Sequence, residues 1–287
     1  MDLSIIIVSW NVRERLRENL KSIYASNLAP FSFEIFVVDN NSHDGTVEMV
    51  KKEFPQVRLV ANKDNLGFAK ANNQAIKYAQ GRYILLLNPD MRVFPDTLAN
   101  MLGWAENHPE VAVAGCRLID ENGGLVPHAR RFPEIWDQLA IVLKIPHLFP
   151  GLLNSYLRKD FNYTREAEVD SIRGSFFLIK EETIAKIGML DERFFVWFEE
   201  VDYCKRAREA GLKVIYTPAA ECVDFVGQGF KQVKRGVAQK LFRASMIKYF
   251  QKWHPGWRCA LLRFAWIIGG GINIVAGLLK LKGKSKT

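Results

Sequence analysis

Val37-Val38-Asp39-Asn40-Asn41-Ser42-His43-Asp44-Gly45-Thr46 is an apolar run that stops in a cluster of carboxylate, amide and small side chains. The pattern reads as a buried parallel strand, a turn, and a helix that starts at Thr46. In α/β domains ligands bind in the crevice outside the carboxyl ends of parallel strands. That places Asp39 and Asn41 among candidate ligand contacts. Gly45 supplies a backbone conformation that other residues resist, and Asp44 or Thr46 can cap the helix. Taken alone, the segment fits a well-formed turn equally well, so its neighbours must decide.

Strand-like runs are expected over residues 3–9, 34–38, 57–61, 83–87 and 111–116, with amphipathic stretches over 12–25, 46–53, 67–79 and 94–108 between them. Such alternation predicts an α/β fold, a mostly parallel central sheet flanked by helices. Residues 127 to 170, interrupted by Pro133, Pro146 and Pro150, read as an insertion over the sheet, a lid or an acceptor loop. Beyond it, strands are expected at 171–179 and 213–216 and helices at 182–187 and 201–210.

A chain of 287 residues that is 48% hydrophobic can bury a sizeable core. Its four cysteines, Cys116, Cys204, Cys222 and Cys259, lack the spacing of a zinc site or a disulfide framework, so a reducing cytosol is expected. The N-terminus, MDLSIIIVSWN, reads as a first strand rather than a secretory leader. The net charge of +9 belongs to the tail: residues 231 to 287 hold 13 of the 40 Lys and Arg and no acid, which leaves 27 basic against 31 acidic residues before them. A nucleic-acid binder needs its basic face on the folded domain, so that class is set aside. No Gly-x-Gly-x-x-Gly loop follows the first strand and no P-loop lysine motif is present, which argues against nicotinamide, flavin and P-loop enzymes.

Two further stretches carry chemistry. Tyr83-Ile84-Leu85-Leu86-Leu87 reads as a central strand ending in Asn88-Pro89-Asp90, where Asp90 can hold a hard divalent cation together with phosphate oxygens. Residues 191 to 202, DERFFVWFEEVD, set five carboxylates around Phe195, Trp197 and Phe198. Acids at a helix start complement its dipole, which accounts for Glu199 and Glu200 without any function. The aromatic neighbours are left unexplained by that reading, and they would desolvate a carboxylate toward the proton affinity of a useful base.

The order of these features resembles the family 2 glycosyltransferases, and most closely their rhamnosyltransferase-like branch, over roughly residues 3 to 230. The matching pieces are IIIVSWN, VVDNNSHDGT, NKDNLGFAKANNQA, YILLLNPD, ARRFP, RGSFFLI, GMLDERFFVWFEEVDYCKRAREAG and VIYTPAAECVDFVGQG. The resemblance implies a GT-A fold and inverting transfer of a sugar, with rhamnose the leading candidate, from a nucleotide-sugar donor to a glycan acceptor. It further implies that Ser9, Asn11, Asp39 and Asn41 line the nucleotide pocket, Asp39 accepting a hydrogen bond from the base. Asn65, Gly67, Asn72 and Asn88 would lie along the nucleotide and sugar path; apart from the resemblance, Arg130 or Arg131 of the insertion is expected to neutralise phosphate charge.

Three departures stand out. Asn88 replaces the first acid of the family's two-aspartate metal motif and leaves Asp90. Glu200, preceded by Glu199, stands where an aspartate general base is usual. Asp224 stands where relatives often carry a metal-coordinating histidine. The expected metal ligands are therefore Asp90 and Asp224, a shell suited to Mg²⁺ or Mn²⁺, with Glu200 and Glu199 as the catalytic pair and Trp197 stacking on the acceptor. The alternative these departures allow is a non-catalytic nucleotide-sugar-binding or scaffold protein of the same fold.

The expected catalytic domain spans residues 1–230, and residues 231–287 form a basic, apolar, membrane-associated region. Residues 264 to 281 are apolar apart from Asn273 and Lys280, long enough for about one membrane crossing but interrupted by Gly269-Gly270-Gly271. Upstream, Lys248, Lys252, Arg258 and Arg263 interleave with Tyr249, Phe250, Trp253 and Trp257 in the pattern of an interfacial helix. The expectation is a monotopic or peripheral tail on an anionic membrane surface, at the cytoplasmic face of the inner membrane, serving a lipid-linked acceptor.

Overall fold

The computed structural model describes residues 1–227 and 231–269. In chain order its elements are β1 (Leu3–Ser9), α1 (Arg13–Tyr24), β2 (Phe33–Asp39), α2 (Thr46–Glu53), β3 (Arg58–Ala61), α3 (Phe68–Ile76), β4 (Tyr83–Leu87), β5 (Met91–Val93), α4 (Thr97–Glu106) and β6 (Val111–Ile119). They continue with α5 (Ile135–Val142), β7 (Ala167–Glu168), β8 (Phe176–Lys180), α6 (Glu181–Ile187), α7 (Glu199–Glu209), β9 (Lys213–Asp224) and α8 (Arg235–Trp253). A further helical stretch covers residues 257–269.

β1 is buried along its whole length because both of its faces are covered. Ile5 and Ile7 join one core with Leu16 and Leu20 of α1, while Ile6 and Val8 join another with Ala71 of α3 and Tyr203 of α7. Two covered faces remove any need for polar alternation, hence the continuous apolar runs of a parallel sheet. The sheet order is β3-β2-β1-β4-β8-β6-β9-β5, with β7 also on β9. Its first four strands are parallel, so the tips of β1, β2 and β4 point the same way. β8 runs antiparallel between β4 and β6, and β5 antiparallel along β9, which brings Asp224 opposite Met91. β6 and β9 pair in parallel as well, and the turn after β4 is stitched to the end of β9.

The insertion is more ordered than its prolines suggest. It holds α5 and two short 3₁₀ turns, Ile145–His147 and Pro150–Leu153. α5 forms a third core with α8, residues 259–265 and the loop before α7, through Leu139, Phe194, Phe198, Met246, Tyr249 and Leu262 among others. This corrects the reading of residues 248–263 as an interfacial helix: Tyr249 and Phe250 are wholly buried, so their apolar area faces protein. Lys252 is partly buried, 2.7 Å from Asp202, which also accepts from Arg206 and the Trp253 indole N–H. Among the described residues no helix is long and apolar enough to cross a membrane; the apolar run at 264–281 extends past residue 269, outside the described residues.

Candidate active site

The polar segments that end β1, β2 and β4 meet the loop before α7 and the end of β9 around one cavity of about 700 Å³. Ser9 and Asp39 are register partners at the tips of β1 and β2, outside the lining of this cavity. Both are buried, and Ser9 Oγ and Asp39 Oδ1 lack hydrogen-bond partners. Buried polar atoms are nearly always satisfied, so these two oxygens call for partners other than the surrounding side chains. Asp39 is held by its other oxygen, Oδ2, which accepts from the Ser42 N–H at 2.8 Å. Asn11 and Asn41 both take positive φ, 52° and 63°, and Asn11 Oδ1 accepts from the His43 N–H, so the turn after β2 is tied to the turn after β1. Gly45, at φ 82°, starts α2 as its sequence position demands.

Asn65 and Gly67 line the cavity, whereas Ser9, Asn11, Asp39, Asn41 and Asn72 stand outside its lining. Asn72 is buried within α3, its Nδ2 donating to the Phe68 carbonyl. Asn40, which the sequence reading passed over, does line the cavity and donates to the Gly67 carbonyl. Gly67 itself is forced by packing. Its φ is +82°, and a Cβ there would lie 2.3 Å from the Phe195 carbonyl oxygen. That oxygen accepts from the Phe68 N–H at 2.6 Å, which fastens the start of α3 to the aromatic loop.

Asn88, Asp90 and Asp224 stand together on the cavity wall. Buried Asn19 of α1 supports this turn by donating to the Asn88 and Met91 carbonyls, and the Phe225 N–H donates to the Asp90 carbonyl at 3.1 Å. Asp224 is buried, with Oδ1 accepting from the Val226 N–H and Oδ2 from Ser175 and Arg173. Two carboxylates and an amide suit a hard cation, and Mg²⁺ in particular binds through one or two carboxylates plus substrate phosphates. Among the described residues no group of three or more His, Cys, Asp or Glu gathers, so a cation here would need oxygens from the donor.

The cavity cation is Arg173, 3.1 Å from Asp224. This corrects the assignment to Arg130 or Arg131. Arg130 instead donates to the Ala129, Pro127 and Leu157 carbonyls, and neither arginine lines the cavity. Arg173 fell inside the strand expected at 171–179, so no sequence signal set it apart.

Glu199 and Glu200 open α7 directly behind Trp197 and Phe198, both held at positive φ, 64° and 70°. Strained non-glycine backbone of this kind clusters at functional sites. Each glutamate has an Oε2 that is buried without a partner. Burial raises both carboxyls above the ordinary range, and Glu199 is pushed further by the charge of Glu200. Arg173 acts in the opposite direction on Glu200. Both carboxyls are therefore held toward the proton affinity of a useful base, with the Arg173 guanidinium favouring the charged form of Glu200.

The tail closes the site. Val233, together with Val237 and Leu241 of α8, forms one wall of the cavity. Sequence periodicity did not reveal this contact, because it joins segments far apart in the chain.

Residues 4–181 match the family model described as Glycosyl transferase family 2. The chain is a family 2 glycosyltransferase. Within the family it is rhamnosyltransferase-like: it is 24% identical to the N-acetylglucosaminyl-diphospho-decaprenol L-rhamnosyltransferase of Mycobacterium tuberculosis, over 96% of this chain and 92% of that protein. It is also 24% identical to the rhamnosyltransferase WbbL of Escherichia coli, over 77% of this chain and 82% of that protein. Among solved structures, the glycosyltransferase resembles the mannosyltransferase PcManGT of Pyrobaculum calidifontis, solved with GDP-Man and Mn²⁺, at TM-score 0.60 and 17% identity over 97% of this chain and 80% of that one. It resembles Staphylococcus aureus TarS with UDP-GlcNAc at TM-score 0.57 and 17% identity, over 87% and 67% of the respective chains. Likeness at this identity supports the GT-A fold expected from the sequence.

Proposed function

We propose that this family 2 glycosyltransferase moves a sugar, rhamnose foremost, from a nucleoside-diphosphate donor to a hydroxyl of a lipid-linked glycan during cell-surface polysaccharide synthesis. The observation that carries the reading is the meeting of Asp90, Asp224, Arg173 and Glu200 around one cavity that Trp10, Asn40 and Asn65 also line. The donor's base sits at Asp39, with Ser9, Asn11 and Asn41 around it, and Asn65, Gly67 and Asn72 shape the path to the sugar. Asp90, with Asp224 and Asn88, would hold Mg²⁺ or Mn²⁺, which supplies charge stabilisation for the departing diphosphate.

The ionised Glu200 carboxylate takes the proton of the acceptor hydroxyl as that oxygen bonds to the anomeric carbon. The bond from that carbon to the phosphate oxygen breaks with its electron pair, which leaves on the nucleoside diphosphate. Attack from the side opposite the leaving group inverts the configuration. Trp197 on the cavity wall offers its ring to the acceptor sugar. Support for a lipid-linked acceptor comes from the name of the mycobacterial relative. Support for a membrane surface at the cytoplasmic face comes from the acid-free, basic segment 231–287 and the outward Trp257, Phe264, Ile267 and Ile268.

The test is a panel of nucleotide sugars, each with Mg²⁺, Mn²⁺ or chelator, read by thermal shift and by release of nucleoside diphosphate. One donor should stabilise the protein and turn over only with metal present, and the product should show the inverted anomer by NMR. Donor binding with no hydrolysis or transfer to any acceptor would favour the non-catalytic, scaffold reading.

A further inference from the structure

Behind Trp197 lies a second groove, between α5, α8 and the helical stretch 257–269, and Trp197 lines both it and the catalytic cavity. Its walls are apolar, with Val142, Phe242 and Trp266, and its charged members are Lys144 and Arg235, with no acid among the lining residues. Trp266 carries an indole Nε1–H that is buried without a hydrogen-bond partner, a donor that fits an oxyanion. The groove also borders apolar surface. Residues 257–269 turn Leu262 and Ala265 inward, while Phe264 is 61% and Ile267 75% exposed. Gly269 lets this stretch close on the end of α5, since a Cβ there would lie 2.6 Å from the Val142 carbonyl oxygen. A few residues past Val142, Leu148 is 77% and Phe149 64% exposed.

We infer that this groove binds the phosphate-bearing, first isoprenoid portion of the lipid-linked acceptor. The inference rests on the transferase reading above and assigns the acceptor's lipid end to named residues. Lys144, Arg235 and the Trp266 N–H meet the phosphate, Val142 and Phe242 meet the chain, and the shared wall at Trp197 leads the attached sugar toward Glu200. The exposed apolar residues on the two flanking segments then face the lipid phase from which such an amphiphile enters. Charge decides for this occupant over a peptide or a second copy of the chain: an acid-free groove with two cations and a buried N–H donor suits a small anion beside an apolar tail.

The experiment uses the full chain with its donor end occupied by excess UDP or dTDP, and measures binding of farnesyl diphosphate, farnesol and inorganic diphosphate by calorimetry. Farnesyl diphosphate should bind at least tenfold more tightly than either fragment. The double substitution Lys144→Gln with Arg235→Gln should weaken it at least fivefold and leave farnesol unchanged. Ala238→Trp, which fills the groove from the partly exposed side of α8, should weaken farnesyl diphosphate and farnesol together. Release of nucleoside diphosphate to water should be unaltered in all variants, which separates a groove effect from misfolding. Equal binding of farnesyl diphosphate and inorganic diphosphate, absence of binding, or variants that bind like the parent would overturn the inference. A chain that transfers sugar yet fails this test loses the groove and keeps the function; one that binds farnesyl diphosphate but turns over no donor loses the function and keeps the groove.

Discussion

Arg173 and Asp224 form an ion pair of 3.1 Å on the cavity wall, joining the segment before β8 to the end of β9. A guanidinium fixed in this way would meet the diphosphate of the proposed donor without prior reorganisation. Arg173→Met should raise the donor KM by about 10- to 100-fold, the worth of a hydrogen bond to a charged group, and leave the metal requirement in place. Asp224→Ala should both weaken donor binding and raise the Mn²⁺ concentration for half-maximal rate. Full metal-dependent turnover in Asp224→Ala would remove it from the proposed metal shell.

Glu200→Gln should lower kcat by about 10²- to 10⁴-fold, the usual share of general-base assistance, while donor affinity measured by calorimetry stays near that of the parent. An equal loss of donor affinity would make Glu200 a binding group. Because burial raises its carboxyl, the acidic limb of kcat/KM should fall above the ordinary carboxylate range, activity being lost as pH drops and the base becomes protonated. Arg173→Met should move that limb to still higher pH.

Glu199 makes the opposite demand on pH. Its folded-state proton affinity is raised above the ordinary value of 4.5, so the protonated acid favours folding at low pH, and that stability is lost as pH rises through the folded-state value. Glu199→Gln should therefore raise Tm at pH 8 and have little effect at pH 4. Turnover should fall less than tenfold, and a loss as large as that of Glu200→Gln would give Glu199 a direct part in the chemistry.

Gly67→Ala should cost about 2–4 kcal/mol in chemical denaturation, combining a disfavoured positive φ with a backbone clash at Phe195. Donor binding should weaken with it, since Asn65 and Phe68 line the cavity on either side. An unchanged denaturation midpoint would mean that the aromatic loop yields freely.

Local pattern carried much of the fold. β1, α2 and β4 begin and end where the apolar runs and turn residues placed them. β9 was expected to stop at Tyr216 and runs on to Asp224, because a register shift against β6 between Gly115 and Arg117 absorbs the stretch around Pro218. β8 starts at Phe176 rather than Ser171, since Arg173, Gly174 and Ser175 serve the cavity instead of the ladder. Asp90 and Glu200, which line the cavity, could be picked out from their strand-tip and helix-start positions. Asn19, Arg173 and the face of α8 could not, because each acts through a contact with a distant segment that no short window of sequence contains.

The clamp between α7 and α8, in which Asp202 receives Lys252, Arg206 and the Trp253 indole, has a metric meaning. α7 begins at the proposed base and α8 leads directly into the stretch that carries Phe264 and Ile267. If that stretch rests on a bilayer, the height of Glu200 above the lipid is a fixed length of protein. The enzyme would then act as a ruler, selecting which hydroxyl along a tethered glycan is extended by its distance from the membrane.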